Sequence, residues 1–157
     1  MKFTQQNVQC LSPSGLHRMA YTEWGDRQNP RVLVCVHGLT RNGRDFDALA
    51  EAMSAHYRVI CPDVVGRGQS SHLRDPAAYG IPLYVADMVT LIARLNVATV
   101  HWVGTSMGGL IGKACLERGR DLRIIKKSPA AIRTLCHAGF GQMPPLRFSQ
   151  GTKRRTD

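Results

Sequence analysis

A chain of 157 residues, 43% of them hydrophobic, is long enough for one globular domain and too short for two comfortable ones. No apolar run approaches the roughly 20 residues of a membrane span, and the first residues lack the apolar segment of a secretory signal, so neither a membrane protein nor an exported one is expected. The net charge of +10 is uneven, because residues 1–112 carry ten Lys/Arg against eight Asp/Glu, whereas residues 113–157 carry eleven against three. The body of the protein is therefore nearly neutral, and nucleic-acid binding by that body is not expected.

Cysteine usage favours a reduced compartment. The five cysteines stand at positions 10, 35, 61, 115 and 136, an odd count without C-x-x-C spacing, which favours neither a zinc site nor a disulfide framework. Those at positions 35 and 61 lie in apolar, strand-like runs, where a cysteine usually serves as a small buried side chain. We therefore expect a cytoplasmic protein that holds no metal.

In chain order, short apolar runs alternate with helical patterns. Strands are predicted at residues 18–24, 31–36, 57–61 and 98–103. Helices are predicted over residues 46–53 after a cap at Asn42 or Asp45, from Pro82 onward, and from Met107 to a cap at Gly119. The run at 31–36 is continuous and β-branched, as in strands buried on both faces. This alternation predicts an α/β fold with a doubly wound, mostly parallel sheet.

The pattern decays beyond Gly119. Residues 122–125 could begin a further strand, but Arg123, Lys126 and Lys127 would place charge where a buried parallel strand is nearly all apolar. The residues that follow show neither helical nor strand periodicity. We therefore predict a partial domain over residues 1–119, truncated after the strand at 98–103 and its helix, and a basic, poorly ordered tail over residues 120–157.

Residues 104–108, Gly-Thr-Ser-Met-Gly, form a G-x-S-x-G motif between a predicted strand and a predicted helix. A serine on such a sharp turn has its hydroxyl pushed clear of the backbone, and Gly104 and Gly108 are needed because the turn is crowded. The motif alone is common, and an ordinary turn serine is the alternative. Its position between strand and helix makes Ser106 the candidate nucleophile.

Two further motifs follow the preceding parallel strands. His37-Gly38-Leu39 follows the strand at 31–36, and D-x-x-G-x-G-x-S occupies residues 63–70 after the strand at 57–61. Loops after parallel strands emerge at one edge of a sheet, which is where α/β sheets bind ligands. In order and setting, the three motifs resemble the α/β-hydrolase superfamily, specifically its bacterial esterase-like members, over about residues 15–118.

The resemblance implies a serine hydrolase of esters or related acyl substrates, with a small-molecule substrate and no metal or organic cofactor. Ser106 would be the nucleophile, and the backbone N–H groups of Leu39 and Met107 would form the oxyanion hole. The turn of residues 37–39, which carries the Leu39 N–H, is called the oxyanion loop. His37 would fix this loop, beside Gly38, rather than act as a base. Asp63 would shape its own loop.

One departure from the family concerns the acid and the base. Family members place both after the nucleophile, in the order Ser, Asp/Glu, His. Only His137 follows Ser106 here, in the predicted tail, so His137 is the possible base. His101 lies in the predicted strand, about 16 Å from Ser106 at ~3.3 Å per residue, and His72 is interpreted as a solvated loop residue. A serine without a positioned base is a poor nucleophile at neutral pH.

Three hypotheses remain open. The first is an active ester hydrolase whose base is His137 or comes from a partner chain. The second, which the physical argument favours, is a truncated or frame-shifted hydrolase fragment without catalysis. The third is a binding module that uses the basic tail, with Lys153, Arg154 and Arg155 near its end. If the sheet ended at residues 98–103, that strand would be an unpaired apolar edge, and we would expect self-association through it.

Overall fold

The computed structural model describes residues 3–118 and 122–126, which contain a six-stranded sheet. The strands are β1 (Thr4–Ser12), β2 (Gly15–Trp24), β3 (Val32–Val36), β4 (Arg58–Pro62), β5 (Val100–Gly104) and β6 (Leu122–Lys126). The helices are α1 (Asp47–Met53), α2 (Ile81–Leu95) and α3 (Met107–Arg118), with 3-10 turns at Gly43–Phe46 and Pro76–Ala78. Among these residues, no helix is long and apolar enough to cross a lipid bilayer.

The strands lie in the order β1-β2-β4-β3-β5-β6. Strands β4, β3, β5 and β6 run parallel to one another. Strands β1 and β2 form an antiparallel hairpin, and β2 pairs antiparallel with β4. The crossovers between the parallel strands contain the helices, which is the arrangement that alternating strands and helices predict. The predicted α/β class and mostly parallel sheet are confirmed.

Strand β3 is buried on both faces of the sheet. Val32, Val34 and Val36 belong to the core that includes residues of α2 and α3. Leu33 and Cys35 belong to a second core, which includes residues of α1. Each of the five side chains is at most 2% exposed, so no polar position interrupts the run. This double burial is the physical reason why the strand could be recognised from its continuous apolar sequence.

The expectation that the strand at 98–103 forms an unpaired edge is wrong. Strand β5 pairs with β3 on one side and with β6 on the other, in register from Val100↔Leu122 to Gly104↔Lys126. Charged residues do not prevent this pairing, because backbone N–H and C=O groups form the hydrogen bonds between the strands. Self-association stays a prediction, without β5 as the exposed edge.

The division of the chain at residue 119 also stays a prediction. Strand β6 lies within the segment that the sequence assigns to the tail. Residues 119–121 and 127–157, which include His137 and the cluster at 153–155, lie outside the described residues.

Helix α3 begins directly against the end of β3. A Cβ atom on Gly108 would overlap the carbonyl oxygen of Val36. On the neighbouring Gly109, a Cβ atom would meet nothing closer than the carbonyl oxygen of Gly104 at 3.7 Å, which is an ordinary contact. Only a glycine at position 108 therefore lets the first turn of the helix reach the carboxyl ends of the strands.

We predict that Gly108→Ala lowers the free energy of unfolding by about 1–3 kcal/mol, because the overlapping atom belongs to the backbone and cannot turn away. Gly109→Ala is the matched control, since alanine suits a helix better than glycine by up to about 1 kcal/mol. Urea unfolding of the two variants measures the difference. Equal effects would show that the close approach of α3 does not limit stability.

Candidate active site

Ser106 lies on the turn between β5 and α3, with an exposed side chain. Its φ angle is +49°, in the left-handed region that non-glycine residues rarely adopt. The backbone carbonyl of Ser106 accepts the N–H groups of Gly109 at 2.9 Å and Leu110 at 3.2 Å, and the carbonyl of Thr105 accepts the N–H of Gly108 at 2.9 Å. The turn is thus held by backbone hydrogen bonds, which leave the Ser106 hydroxyl at the surface.

Two hydrogen bonds tie this turn to the sheet. The N–H of Thr105 donates to the carbonyl of Val36 at 3.0 Å, which joins the turn to the end of β3. The indole Nε1–H of Trp102, a fully buried residue of β5, donates to the carbonyl of Gly108 at 3.0 Å. The position of Ser106 is therefore set from both sides by rigid elements.

The predicted His-Gly turn adjoins Ser106. A Cβ atom built on Gly38 would lie 3.7 Å from the Cβ atom of Ser106. The carbonyl of Gly38 accepts the Nδ1–H of His37 at 2.7 Å and the N–H of Arg41 at 3.2 Å. The structure thus brings together residues that are about 70 positions apart in the sequence, as expected for loops after neighbouring parallel strands.

His37 is buried, and both of its ring nitrogens are occupied. Its Nε2 accepts the backbone N–H of Val64 at 2.9 Å, so the ring proton resides on Nδ1, which donates to Gly38. Burial lowers the pKa of His37, and this outweighs the opposing effects of the Gly38 carbonyl and Asp63. A neutral ring with both nitrogens engaged supports the interpretation of His37 as a residue that fixes the loop.

Asp63 shapes the loop after β4. Its Oδ1 accepts the N–H of Gly43 at 2.7 Å, and its Oδ2 accepts the N–H of Gln69 at 2.8 Å. Both carboxylate oxygens are therefore committed to backbone groups of two loops, which is the role that the sequence suggested for this residue.

Besides His37, the structure describes two of the histidines that the sequence analysis considered, His101 and His72. His101 is half-buried in β5, and its ring packs edge-on against Tyr57 with ring centres 5.4 Å apart. His72 is exposed in the loop after β4. His137 lies outside the described residues, so its candidacy as a base remains a prediction.

Arg67 is a feature of the site that the sequence analysis missed. It occupies a variable position of the D-x-x-G-x-G-x-S motif, yet its Nε–H donates to the carbonyl of Leu39 at 3.0 Å. A spacing pattern carries no signal for such a contact, because the partner is a backbone atom of another loop.

Three potential metal ligands meet between the β1–β2 hairpin and α2. Cys10, His17 and Asp87 are buried, and their ligand atoms lie within 4.8 Å of one another. However, His17 Nε2 and Asp87 Oδ2 are 2.9 Å apart, a direct hydrogen-bond distance, whereas two ligands of a tetrahedral zinc ion lie about 3.3 Å apart. Burial, assisted by Asp87, raises the pKa of Cys10 to about 12, so the thiol is protonated in the metal-free protein. This arrangement fits a hydrogen-bonded core cluster better than a metal centre.

Several known proteins are similar to this chain in sequence or in structure. A family model described as the alpha/beta hydrolase fold matches residues 31–124. A 3-hydroxybutyrate-oligomer hydrolase from Cupriavidus necator is 70% identical over 105 residues, which cover 67% of this chain and 36% of that protein. A pimeloyl-acyl-carrier-protein methyl ester esterase from Aliivibrio fischeri is 34% identical over 139 residues, which cover 85% of this chain and 50% of that protein.

Among solved structures, an alpha/beta hydrolase from Novosphingobium aromaticivorans matches with a TM-score of 0.68 and 34% identity, over 78% of this chain and 42% of that one. The matched part of this chain therefore spans half or less of the length of each of these three relatives.

The buried His37 predicts a pH dependence of stability. Because burial lowers its pKa in the folded state, the unfolded state binds more protons once the pH falls below the ordinary value of 6.5. The free energy of unfolding should then decrease with falling pH, by up to about 1.4 kcal/mol per pH unit from this one group. The His37→Asn variant should lose this part of the slope in urea unfolding between pH 5 and pH 8. Identical slopes for the two proteins would contradict the neutral, buried ring.

Proposed function

Because the chain belongs to the α/β-hydrolase family, we propose that it is a serine hydrolase of carboxylic esters in which Ser106 is the nucleophile. The observation that carries the proposal is the exposed Ser106 at a φ of +49° beside the His-Gly turn. A non-glycine residue in this region costs about 1–2 kcal/mol. Such strain collects at functional sites, where the surrounding structure holds it in place.

The first proposed oxyanion donor is the N–H of Leu39. In a trans peptide, the C=O and N–H groups point in opposite directions. The Gly38 carbonyl of this peptide is held by the His37 ring and by the N–H of Arg41. The N–H of Leu39 therefore points away from both groups, and the proximity of Gly38 to Ser106 supports its role in the oxyanion hole.

The second proposed donor is the N–H of Met107. Met107 is the first residue of α3, where N–H groups have no acceptor within the helix and the helix dipole is positive. When Ser106 Oγ attacks an ester carbonyl carbon and its proton passes to a base, the carbonyl oxygen becomes negative. Two fixed N–H donors would stabilise that oxygen, and the loss of one such donor typically costs about 3 kcal/mol.

The proposal has two forms, which differ in whether a general base is available to Ser106. His37 is unsuited to this role because its nitrogens serve Val64 and Gly38. In the first form, His137 or a partner chain accepts the Ser106 proton and passes it to the leaving alcohol, and water then releases the acyl group. In the second form, the chain has the nucleophile turn without acid and base and does not turn over esters. The alternative of a binding module that uses the basic C-terminal residues is supported only by the positive charge of those residues.

The proposed substrate class follows from the relatives. The Cupriavidus protein is a hydrolase of 3-hydroxybutyrate oligomers, and the Aliivibrio protein is an esterase of a methyl ester. Both substrates offer an ester carbonyl to a nucleophile. The first relative is 70% identical over 105 residues, so we propose short hydroxy-acid oligomers as the first substrates to test. A cytoplasmic setting remains part of the proposal and is supported by cysteine usage.

We predict that, in the first form of the proposal, a fluorophosphonate probe labels the wild-type protein, because the activated Ser106 oxygen attacks the phosphorus of the probe and fluoride leaves. Ser106→Ala and Ser106→Gly should both reduce labelling to background, since both lack the hydroxyl. Ser106→Gly should also unfold with a free energy about 1 kcal/mol higher than Ser106→Ala, because only glycine adopts this φ without strain. Gel fluorescence and urea unfolding measure the two effects.

Two controls separate the forms of the proposal. His137→Asn should abolish labelling if His137 is the base and leave it unchanged if a partner chain supplies one. A folded wild-type protein that is not labelled, at any pH between 6 and 9, would support the form without turnover. Labelling that persists in Ser106→Ala would contradict Ser106 as the nucleophile.

A further inference from the structure

Arg67 joins three parts of the candidate site through one guanidinium group. Its Nε–H donates to the carbonyl of Leu39 at 3.0 Å, and its Nη1–H donates to the carbonyl of Val65 at 2.8 Å and to the Tyr84 hydroxyl at 3.1 Å. We propose that Arg67 is a positioning residue for the oxyanion loop, which it holds through the Leu39 carbonyl. This inference rests on the proposed function, because it concerns the backbone that would present the Leu39 N–H.

The loop depends on hydrogen bonds because its own side chain contributes little packing. The Leu39 side chain is 58% exposed, so burial does not hold this residue in place. The preceding carbonyl, Gly38 O, is bound by the His37 ring and the N–H of Arg41. The Leu39 carbonyl is bound by Arg67. Two successive peptide planes are thus fixed, one by His37 and the Arg41 amide and the other by Arg67.

Arg67 is itself held rigidly enough to act in this way. Its guanidinium carbon lies 5.2 Å from the centre of the Tyr84 ring and 5.9 Å from that of the Tyr79 ring, within reach of cation–π attraction. The planar fork of an arginine directs several N–H groups at once, and its charge is permanent. A lysine places one ammonium group on a flexible stem, so it should not satisfy Leu39, Val65 and Tyr84 together.

The first measurement is local and needs no catalysis. The N–H of Arg41 is bonded to Gly38 within the loop, so its exchange with solvent, followed by NMR, reports whether the loop opens. In Arg67→Met we expect this amide to exchange at least tenfold faster, while the amides of β3 and β5 keep their rates. Arg67→Lys should resemble Arg67→Met. Arg74→Met, at an exposed position of the same long loop, is the matched control and should change nothing.

The second measurement is the rate of fluorophosphonate labelling. We expect Arg67→Met and Arg67→Lys to lower its rate constant at least tenfold, because a displaced oxyanion donor stabilises the transition state less. Where esters are turned over, the loss should fall on kcat with KM nearly unchanged. Tyr84→Phe removes one acceptor of Arg67 and leaves its contact with Leu39, so it should give a smaller effect in the same direction. Tyr84→Phe also tests the inference if Arg67→Met fails to fold.

The outcomes are distinguishable from those of the proposed function. Unchanged exchange of the Arg41 amide in Arg67→Met would overturn the inference even if the wild type is labelled. Equal acceleration in β3 and β5 would also overturn it, because Arg67 would then only support overall stability. Wild-type behaviour of Arg67→Lys would overturn the role of the planar fork. If the wild type is not labelled, the proposed ester hydrolysis fails, and the exchange result alone decides whether Arg67 holds the loop.

Discussion

The candidate site depends on one buried histidine that stays neutral. His37 accepts a hydrogen bond from the N–H of Val64 and donates one to the carbonyl of Gly38, so a single ring links the loop after β4 to the turn after β3. A protonated ring would present a donor to the Val64 N–H and lose that bond. Burial lowers the pKa of the ring and so disfavours this state. The geometry of two loops thus follows from the protonation state of one side chain.

A second constraint is the close approach of backbone to backbone around Val36. Its carbonyl accepts the N–H of Thr105, and Gly108 lies directly against it. No side chain separates the end of β3 from Gly108 in the first turn of α3, so the chain leaving β5 must turn sharply at Ser106 to enter that helix. The strain at Ser106 is tolerated because the elements on both sides are packed in cores that local relaxation would disrupt. Exposure of the hydroxyl and strain in the backbone therefore have the same origin.

The parts of the fold that the sequence predicts are those where burial imposes a strict pattern on the residues. The continuous apolar run of β3 and the glycines around Ser106 reflect packing on every side, which leaves few residue types available. The sequence does not predict strand β1, because Val8, Cys10 and Ser12 are its only buried positions, an alternation too short to stand out among polar residues. The charges of strand β6 obscure it in the sequence, although its pairing with β5 uses only backbone groups. The role of Arg67 has no signal in the sequence, because the Leu39 carbonyl and the Tyr84 hydroxyl that it binds lie in other segments of the chain.

The sequence by itself determined the α/β class, the order of the loops at the carboxyl edge of the sheet, and the family to which the chain belongs. These properties follow from periodicity and from local motifs, whose physical causes lie within a few residues of one another. Only the tertiary structure decided the tautomer of His37, the hydrogen bonds of Arg67 and the cluster of Cys10, His17 and Asp87. Each of these depends on atoms that are distant in sequence and adjacent in space, and many sequences with the same pattern would place different side chains there.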